Sequence, residues 1–198
     1  MTADCLSQPS ADLAWVPLSS AQQRLWFFSR LESASSAYNL GGVLWLEGAL
    51  DLAALRYGLD QLLARHAALR LVFAEQDGVA RQAVLPVCPM PLERVDLGEL
   101  APALRQAAVE EQGRAFVERH FDLGHGPQIR AALYRLEDER HGLVLSMHHI
   151  VSDAWSVRVL CEDLAEFYRA HQQRRAPTLR ALPLQYCDYA EGQHQWLA

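Results

Sequence analysis

The stretch GLVLSMHHI at residues 142–150 limits the possible folds of this chain more than any other part of the sequence. Successive side chains of a strand point to opposite faces. One face carries Leu143, Leu145, Met147 and His149, and the other carries Val144, Ser146, His148 and Ile150. Both faces are mainly apolar, which is typical of a strand that is covered on both sides. The chain is therefore predicted to build a sheet that is buried under helices.

The rest of the pattern alternates helices with strands. Leucines recur at helical spacing over residues 51–69, with Asp51 as the expected N-cap, and a second amphipathic helix is predicted over residues 154–173. Residues 70–85 form two short strand patterns joined at Asp77-Gly78, a turn signal. This order predicts an α/β domain with one mixed sheet and helices packed on it. Residues 1–16 lack such a pattern and are predicted to be a flexible lead-in.

Composition excludes several classes of protein. The net charge of −6 comes from interleaved acidic and basic residues, so no basic stripe for nucleic acid is expected. No apolar window approaches the roughly 18 residues of a membrane span, and the N-terminus lacks a signal-peptide pattern. The four cysteines, at 5, 88, 161 and 187, have no metal-ligand spacing. They are predicted to be unpaired thiols of a cytoplasmic protein.

The adjacent histidines limit the chemistry of the buried strand. Neighbouring strand side chains point in opposite directions, so His148 and His149 are not expected to bind one metal ion. Either both rings are satisfied core histidines or one of them faces a cavity. Asp153 follows the strand and allows two interpretations. It is an N-cap of the next helix, or it is a buried carboxylate paired with an arginine from elsewhere.

Four motifs resemble one family. MHHIVSDAWS at residues 147–156 resembles the His-His-x-x-x-Asp-Gly signature of condensation domains in nonribosomal peptide synthetases. SSAQQRLWF at 19–27, followed by SAYNL at 36–40, resembles the first family motif. RHAALRLVF at 65–73 and QYCDYA at 185–190 resemble the second and fourth motifs. Their order along the chain matches the order in the family.

The resemblance implies a fold, a reaction and partners. Condensation domains have two similar lobes, each like half of a chloramphenicol-acetyltransferase-like unit, with the active site in a tunnel between them. Residues 17–198 are expected to be the N-terminal lobe, without its C-terminal lobe, and the isolated lobe is expected to be inactive. The complete domain joins a donor acyl or peptidyl thioester to the amine of an aminoacyl acceptor. Both substrates are carried on phosphopantetheine arms of carrier domains, beside a neighbouring adenylation domain, and no bound cofactor or metal is expected.

The resemblance also assigns roles to residues. His149 would accept the amine proton or position the amine, while His148 would be mainly structural. Asp153 would pair with Arg65 or Arg70 and so brace the loop. Ala154 stands where the family has glycine and Ala67 where it has glutamate, and both are expected to be subtype variation. The large ring of Trp155 is expected to lie in the core, like that of Trp26.

Three other functions share features of this sequence. A CoA-dependent acyltransferase has the same fold and an HxxxD core, an epimerisation domain has the histidine doublet, and a non-catalytic lobe would only bind carriers. The first motif favours a carrier-dependent enzyme. LWFFSRLESASSAYNL at residues 25–40 suggests an L-type or a chain-initiating, lipid-accepting subtype.

Overall fold

The computed structural model of this chain describes residues 13–31 and 36–197. Its helices are α1 (Ser20–Leu31), α2 (Leu52–Arg65), α3 (Pro102–Val117), α4 (Ala154–Gln172) and α5 (Tyr186–Leu197). A short 3-10 helix, Ala67–Arg70, follows α2. The strands are β1 (Val16–Pro17), β2 (Asn39–Glu47), β3 (Leu71–Gln76), β4 (Val79–Val84), β5 (Leu92–Asp96), β6 (Ile129–Glu137) and β7 (Arg140–His148). Helices and strands alternate as predicted.

The strands form two sheets. The larger has the order β2-β7-β6-β5, and it is mixed because β5 runs parallel to β6 while the other pairs are antiparallel. The predicted mixed sheet is therefore confirmed. The smaller sheet, β1-β4-β3, was not predicted as a separate unit. Its hairpin turns at Asp77 and Gly78, whose φ angles of 49° and 75° suit the twist of a tight hairpin.

Strand β7 is covered on both faces. Leu143, Leu145 and Met147 belong to the core under α2 and α4, which also contains Leu59, Leu62 and Leu164. Val144 packs on the other face against Val109 and Phe116 of α3. The prediction from residues 142–150 is thus confirmed, and the end of β7 is fixed between two apolar layers.

Helices α2 and α4 begin at side-chain caps. Asp51 accepts a hydrogen bond of 2.9 Å from the amide of Ala54, as its predicted role as N-cap of α2 requires. Asp153 caps α4 in the same way. The two helices pack side by side on the sheet, so the loop that links β7 to α4 is held at both ends.

The N-terminal segment and the cysteines differ in part from expectation. Most of the predicted lead-in, residues 1–12, lies outside the described residues. Within its remainder, Leu13 and Trp15 pack against the core of the smaller sheet, and Val16 pairs with Gln82. Cys161 and Cys187 are free thiols, but Cys88 is disulfide-bonded, so the prediction of unpaired cysteines is wrong there. None of the described helices is long and apolar enough to span a bilayer.

Candidate active site

His149 follows the last residue of β7 and is exposed. Its Nδ1 atom lies 2.6 Å from the carbonyl oxygen of Ser152. A carbonyl oxygen only accepts hydrogen bonds, so Nδ1 must carry the proton. In the neutral ring the lone pair is then on Nε2. Among the described residues Nε2 has no hydrogen-bond partner, so the loop holds an imidazole whose acceptor nitrogen is available, which is the form that a proton acceptor needs.

His148 has the opposite environment. Its side chain is buried, with 4% exposure, and its ring lies among those of Tyr38 and Phe121. Its Nδ1 accepts a hydrogen bond of 3.1 Å from the amide of Ile150. Burial lowers the pKa of His148 to about 4, helped by repulsion from His149. His148 is thus a buried, neutral histidine whose ring accepts a hydrogen bond from the loop that follows β7.

Asp153 is an N-cap. Its carboxylate accepts hydrogen bonds of 2.7 Å from both the amide and the hydroxyl group of Ser156, whose hydroxyl in turn accepts from the Asp153 amide. The hydrogen bonds from Ser156 hold the pKa of Asp153 below its usual value. Of the two interpretations of this residue, the cap is confirmed.

The predicted pairing of Asp153 with Arg65 or Arg70 is wrong. The Nε of Arg65 donates instead to Asp163 at 2.9 Å, and its Nη2 donates to the carbonyl oxygen of Arg180. Arg70 is buried, and it donates to the carbonyl oxygens of Leu63 and Leu85. Burial lowers the pKa of Arg70. Both arginines brace the fold, and among the described residues neither has a hydrogen bond or an ion pair with Asp153.

Asp163 is the carboxylate that joins the second motif to α4. It is only 5% exposed, and its Oδ2 atom contacts Arg65 and also Nε2 of His66 at 2.7 Å. Sequence reasoning missed this residue. The signal was its position on the apolar stripe of α4, between Leu160 and Leu164, where a carboxylate needs a partner.

Around His149 the described residues form a cleft of about 440 Å³, which we call the His149 cleft. Its walls come from α1, the second motif, the loop after β7, the start of α4 and the segment before α5. The lining includes Arg24, Leu25, His66, Ala68, His149, Asp153, Trp155, Val159, Leu182 and Tyr186. Another cleft, beside Asp96 and His141, lies at the opposite end of β7. The His149 cleft is therefore the candidate active site of the described residues.

The other motifs meet around this cleft. The hydroxyl groups of Ser19 and Tyr186, from the first and fourth motifs, lie 2.9 Å apart. The side chain of Gln185 accepts from the Ala67 amide at 3.1 Å and donates to the Arg65 carbonyl. The small side chain of Ala67 thus leaves no unpaired backbone amide. These contacts bring motifs that are far apart in the sequence together beside one cleft.

The structure tests the expectations for two residues beside the histidine loop, Ala154 and Trp155. Ala154 is the first residue of α4. Among the described non-glycine residues, positive φ angles occur at Asp77 and Arg174, so the methyl group of Ala154 causes no backbone strain. The expectation that Trp155 is a core residue is wrong, because it is 70% exposed. Its ring instead lies 5.5 Å from the guanidinium carbon of Arg158.

Sequence comparisons match nearly the whole described chain. The family described as Condensation domain matches residues 14–198. A linear gramicidin synthase polypeptide of Brevibacillus parabrevis is 41% identical over 182 residues, which cover 92% of this chain and 2% of that protein. Phosphinothricin tripeptide synthetase PhsB of Streptomyces viridochromogenes is 38% identical over 190 residues, or 96% of this chain and 16% of that protein. The chain thus spans a small part of these relatives.

Structural comparisons agree with the sequence match. The starter condensation domain of rhizomide synthetase RzmA superimposes with a TM-score of 0.83 at 24% identity, covering 93% of this chain and 44% of that one. The first condensation domain of the calcium-dependent antibiotic synthetase, in complex with a substrate analogue, gives a TM-score of 0.82 at 26% identity. That match covers 92% of this chain and 43% of the other. The fold is shared, and it accounts for less than half of each solved domain.

Proposed function

This chain belongs to the condensation-domain family of nonribosomal peptide synthetases, and we propose that residues 17–198 form the N-terminal lobe of one such domain. The support is the extent of the matches, which cover nearly all of this chain but 44% of a solved starter condensation domain. The remaining half of the domain would be the C-terminal lobe. Carrier domains and an adenylation domain would be its neighbours in the cytoplasm.

The proposed reaction forms an amide bond between the acyl group of one thioester and the amine of another. The amine nitrogen of an aminoacyl acceptor attacks the carbonyl carbon of a donor acyl or peptidyl thioester. A C–N bond forms, the C–S bond breaks, the thiol of the donor arm leaves, and the amine loses one proton. Both substrates would enter on phosphopantetheine arms of carrier domains, so this chain needs to bind no cofactor of its own. Holding the two thioesters together would supply much of the rate.

The observation that carries the proposal is the tautomer of the His149 ring. The residue lines the cleft, and its Nδ1–H is bound to the Ser152 carbonyl, so in the neutral ring the lone pair is on Nε2. That atom would accept a hydrogen bond, or the proton itself, from the attacking amine. Asp153 would act by capping α4 and fixing the loop, and His148 by packing behind it. His149 is therefore the residue proposed to take part in the reaction, and Asp153 and His148 are proposed to hold it in position.

The lobe alone is proposed to be inactive. Large apolar side chains near the cleft and on α5 are exposed, including Trp155 at 70% and Trp196 at 84%. Monomeric proteins rarely leave such groups uncovered when they form a contiguous patch. A second lobe would cover them and close the second wall of the site. Peptide-bond formation by residues 1–198 alone, at the rate of the complete domain, would contradict this.

The proposal is tested by replacing His149 in the complete domain. We expect His149→Ala to slow amide-bond formation by about 100-fold or more, because general acid–base groups contribute roughly that much. His125→Ala is the matched control, since His125 is a partly exposed histidine that is bound to Asp122 and does not line the cleft. Retained turnover in His149→Ala would remove this residue from the mechanism.

The same assay separates the related functions. Donors presented as acyl-carrier and as acyl-CoA thioesters distinguish a carrier-dependent elongating domain from a CoA-dependent acyltransferase or a chain-initiating domain. Inversion of a carrier-bound aminoacyl thioester without amide formation would identify an epimerisation domain. The resemblance of the first motif, residues 19–27, to that of carrier-dependent enzymes favours the carrier-bound donor.

A further inference from the structure

A second imidazole lines the His149 cleft and is held by a buried carboxylate. His66 follows α2, and its Nε2 lies 2.7 Å from Oδ2 of Asp163. Arg65 contacts the same oxygen at 2.9 Å. A carboxylate only accepts hydrogen bonds, so Nε2 of His66 carries a proton. The pair fixes both the orientation and the tautomer of the ring.

The other nitrogen of this ring is open. Across residues 13–31 and 36–197, no group bonds to Nδ1 of His66, and it is not one of the buried polar atoms without a partner. It therefore reaches the solvent. Burial lowers the pKa of His66, and the nearby cation of Arg65 acts in the same direction although Asp163 opposes it. The ring is thus neutral near pH 7, and Nδ1 is a hydrogen-bond acceptor that has no donor among the described residues.

We propose that His66 is a substrate-binding residue whose Nδ1 accepts a hydrogen bond from an amide N–H of a thioester arm in the His149 cleft. This inference rests on the proposed function. The arm of a carrier-bound substrate contains amide N–H groups, which are donors that match a neutral imidazole acceptor. Apolar side chains of Leu25 and Val159 line the same cleft and suit the methylene groups of such an arm. Asp163 would be the positioning residue, because it acts through His66.

The test uses variants that separate binding from structure. In His66→Gln the side-chain amide reaches the position of Nε2 and keeps a donor for Asp163, but it removes the acceptor at Nδ1. His66→Phe removes both. If His66 were only structural, His66→Gln would behave like the wild type. Thermal unfolding of each variant shows whether it is folded.

Turnover by the complete domain is measured with two acceptor thioesters. One is an aminoacyl thioester of N-acetylcysteamine, and the other has an ester oxygen in place of its amide N–H. The wild type should prefer the amide by roughly threefold to tenfold in kcat/KM, the worth of one hydrogen bond, mainly through KM. His66→Gln should lose this preference and turn over the ester at the wild-type rate. An unchanged preference in His66→Gln would overturn the proposal.

Binding to the 198-residue chain gives an answer that does not depend on turnover. Pantetheine should shift the Nδ1 resonance of His66 in nitrogen-15 NMR spectra, and it should bind His66→Gln roughly threefold to tenfold more weakly. No shift, or equal affinity for both proteins, would refute the role of His66 even if His149→Ala is inactive. Conversely, a shift at His66 with full activity in His149→Ala would sink the catalytic assignment alone.

Discussion

Replacing Asp163 should destabilise the chain far more than replacing Asp153, although the latter belongs to the signature motif. Asp163 is 5% exposed and accepts from both Arg65 and His66. Removing one partner of a fully buried ion pair costs about 3–5 kcal/mol. The Arg65 side chain keeps some solvent contact and its bond to Arg180, so we expect about 3 kcal/mol for Asp163→Ala. Asp153→Ala removes an exposed N-cap and should cost about 1 kcal/mol.

Urea unfolding followed by circular dichroism measures both variants. A loss of about 3 kcal/mol also predicts a fall in Tm of about 6–12 °C for a chain of this size. Double-mutant cycles with Arg65→Ala then test the pairing directly. We expect a coupling free energy of about 2 kcal/mol between Arg65 and Asp163, and less than about 0.5 kcal/mol between Arg65 and Asp153. Strong coupling of Arg65 to Asp153, or an Asp163→Ala cost no larger than that of Asp153→Ala, would refute the assignment.

Three further predictions concern the histidine loop and its neighbours. The pKa of His148 is about 4 in the folded chain and near 6.5 when unfolded, so the unfolded state binds more protons between these values. The free energy of unfolding should thus fall by up to about 3 kcal/mol as the pH drops from 6.5 to 4. The variant His148→Asn does not titrate in this range, so its free energy of unfolding should not show this loss. A pH dependence identical to that of the wild type would contradict it. Ala154→Gly should keep the activity of the complete domain and lower stability by under about 1 kcal/mol, because residue 154 is helical. A large gain in activity would show that the site needs a glycine backbone there. Trp155→Ala should change the stability of the 198-residue chain by less than about 0.5 kcal/mol, since its ring is exposed, but should destabilise the complete domain measurably. Equal effects in both proteins would indicate that nothing covers Trp155.

The sequence predicted those features that depend on local pattern. The alternation of apolar residues in β7 indicated burial on both faces, and the spacing of leucines located α2. Asp153 was a recognisable cap candidate because it directly precedes an amphipathic helix. In each case the physical cause lies within a few residues of the chain.

Features that depend on tertiary packing were not predicted. The partner of Arg65 is a residue of α4 that meets it only because α2 and α4 pack side by side, so a motif alone suggested the wrong aspartate. The exposure of Trp155 was also missed. The sequence alone does not tell whether an apolar side chain packs inside its own lobe or against another surface. The tautomer of His149 depends on a carbonyl group, which no residue type reveals.

The ring of His149 is proposed to present the lone pair of Nε2 to the amine, and nitrogen-15 NMR of the labelled chain tests this most directly. Histidine spectra distinguish a nitrogen that carries hydrogen from one that carries a lone pair. Near neutral pH the neutral form of His149 should be protonated on Nδ1, as its 2.6 Å contact with the Ser152 carbonyl requires. His149→Ala identifies the resonance by its disappearance. A neutral His149 ring protonated on Nε2 would contradict the assignment, because the nitrogen facing the amine would then have no lone pair to accept its proton.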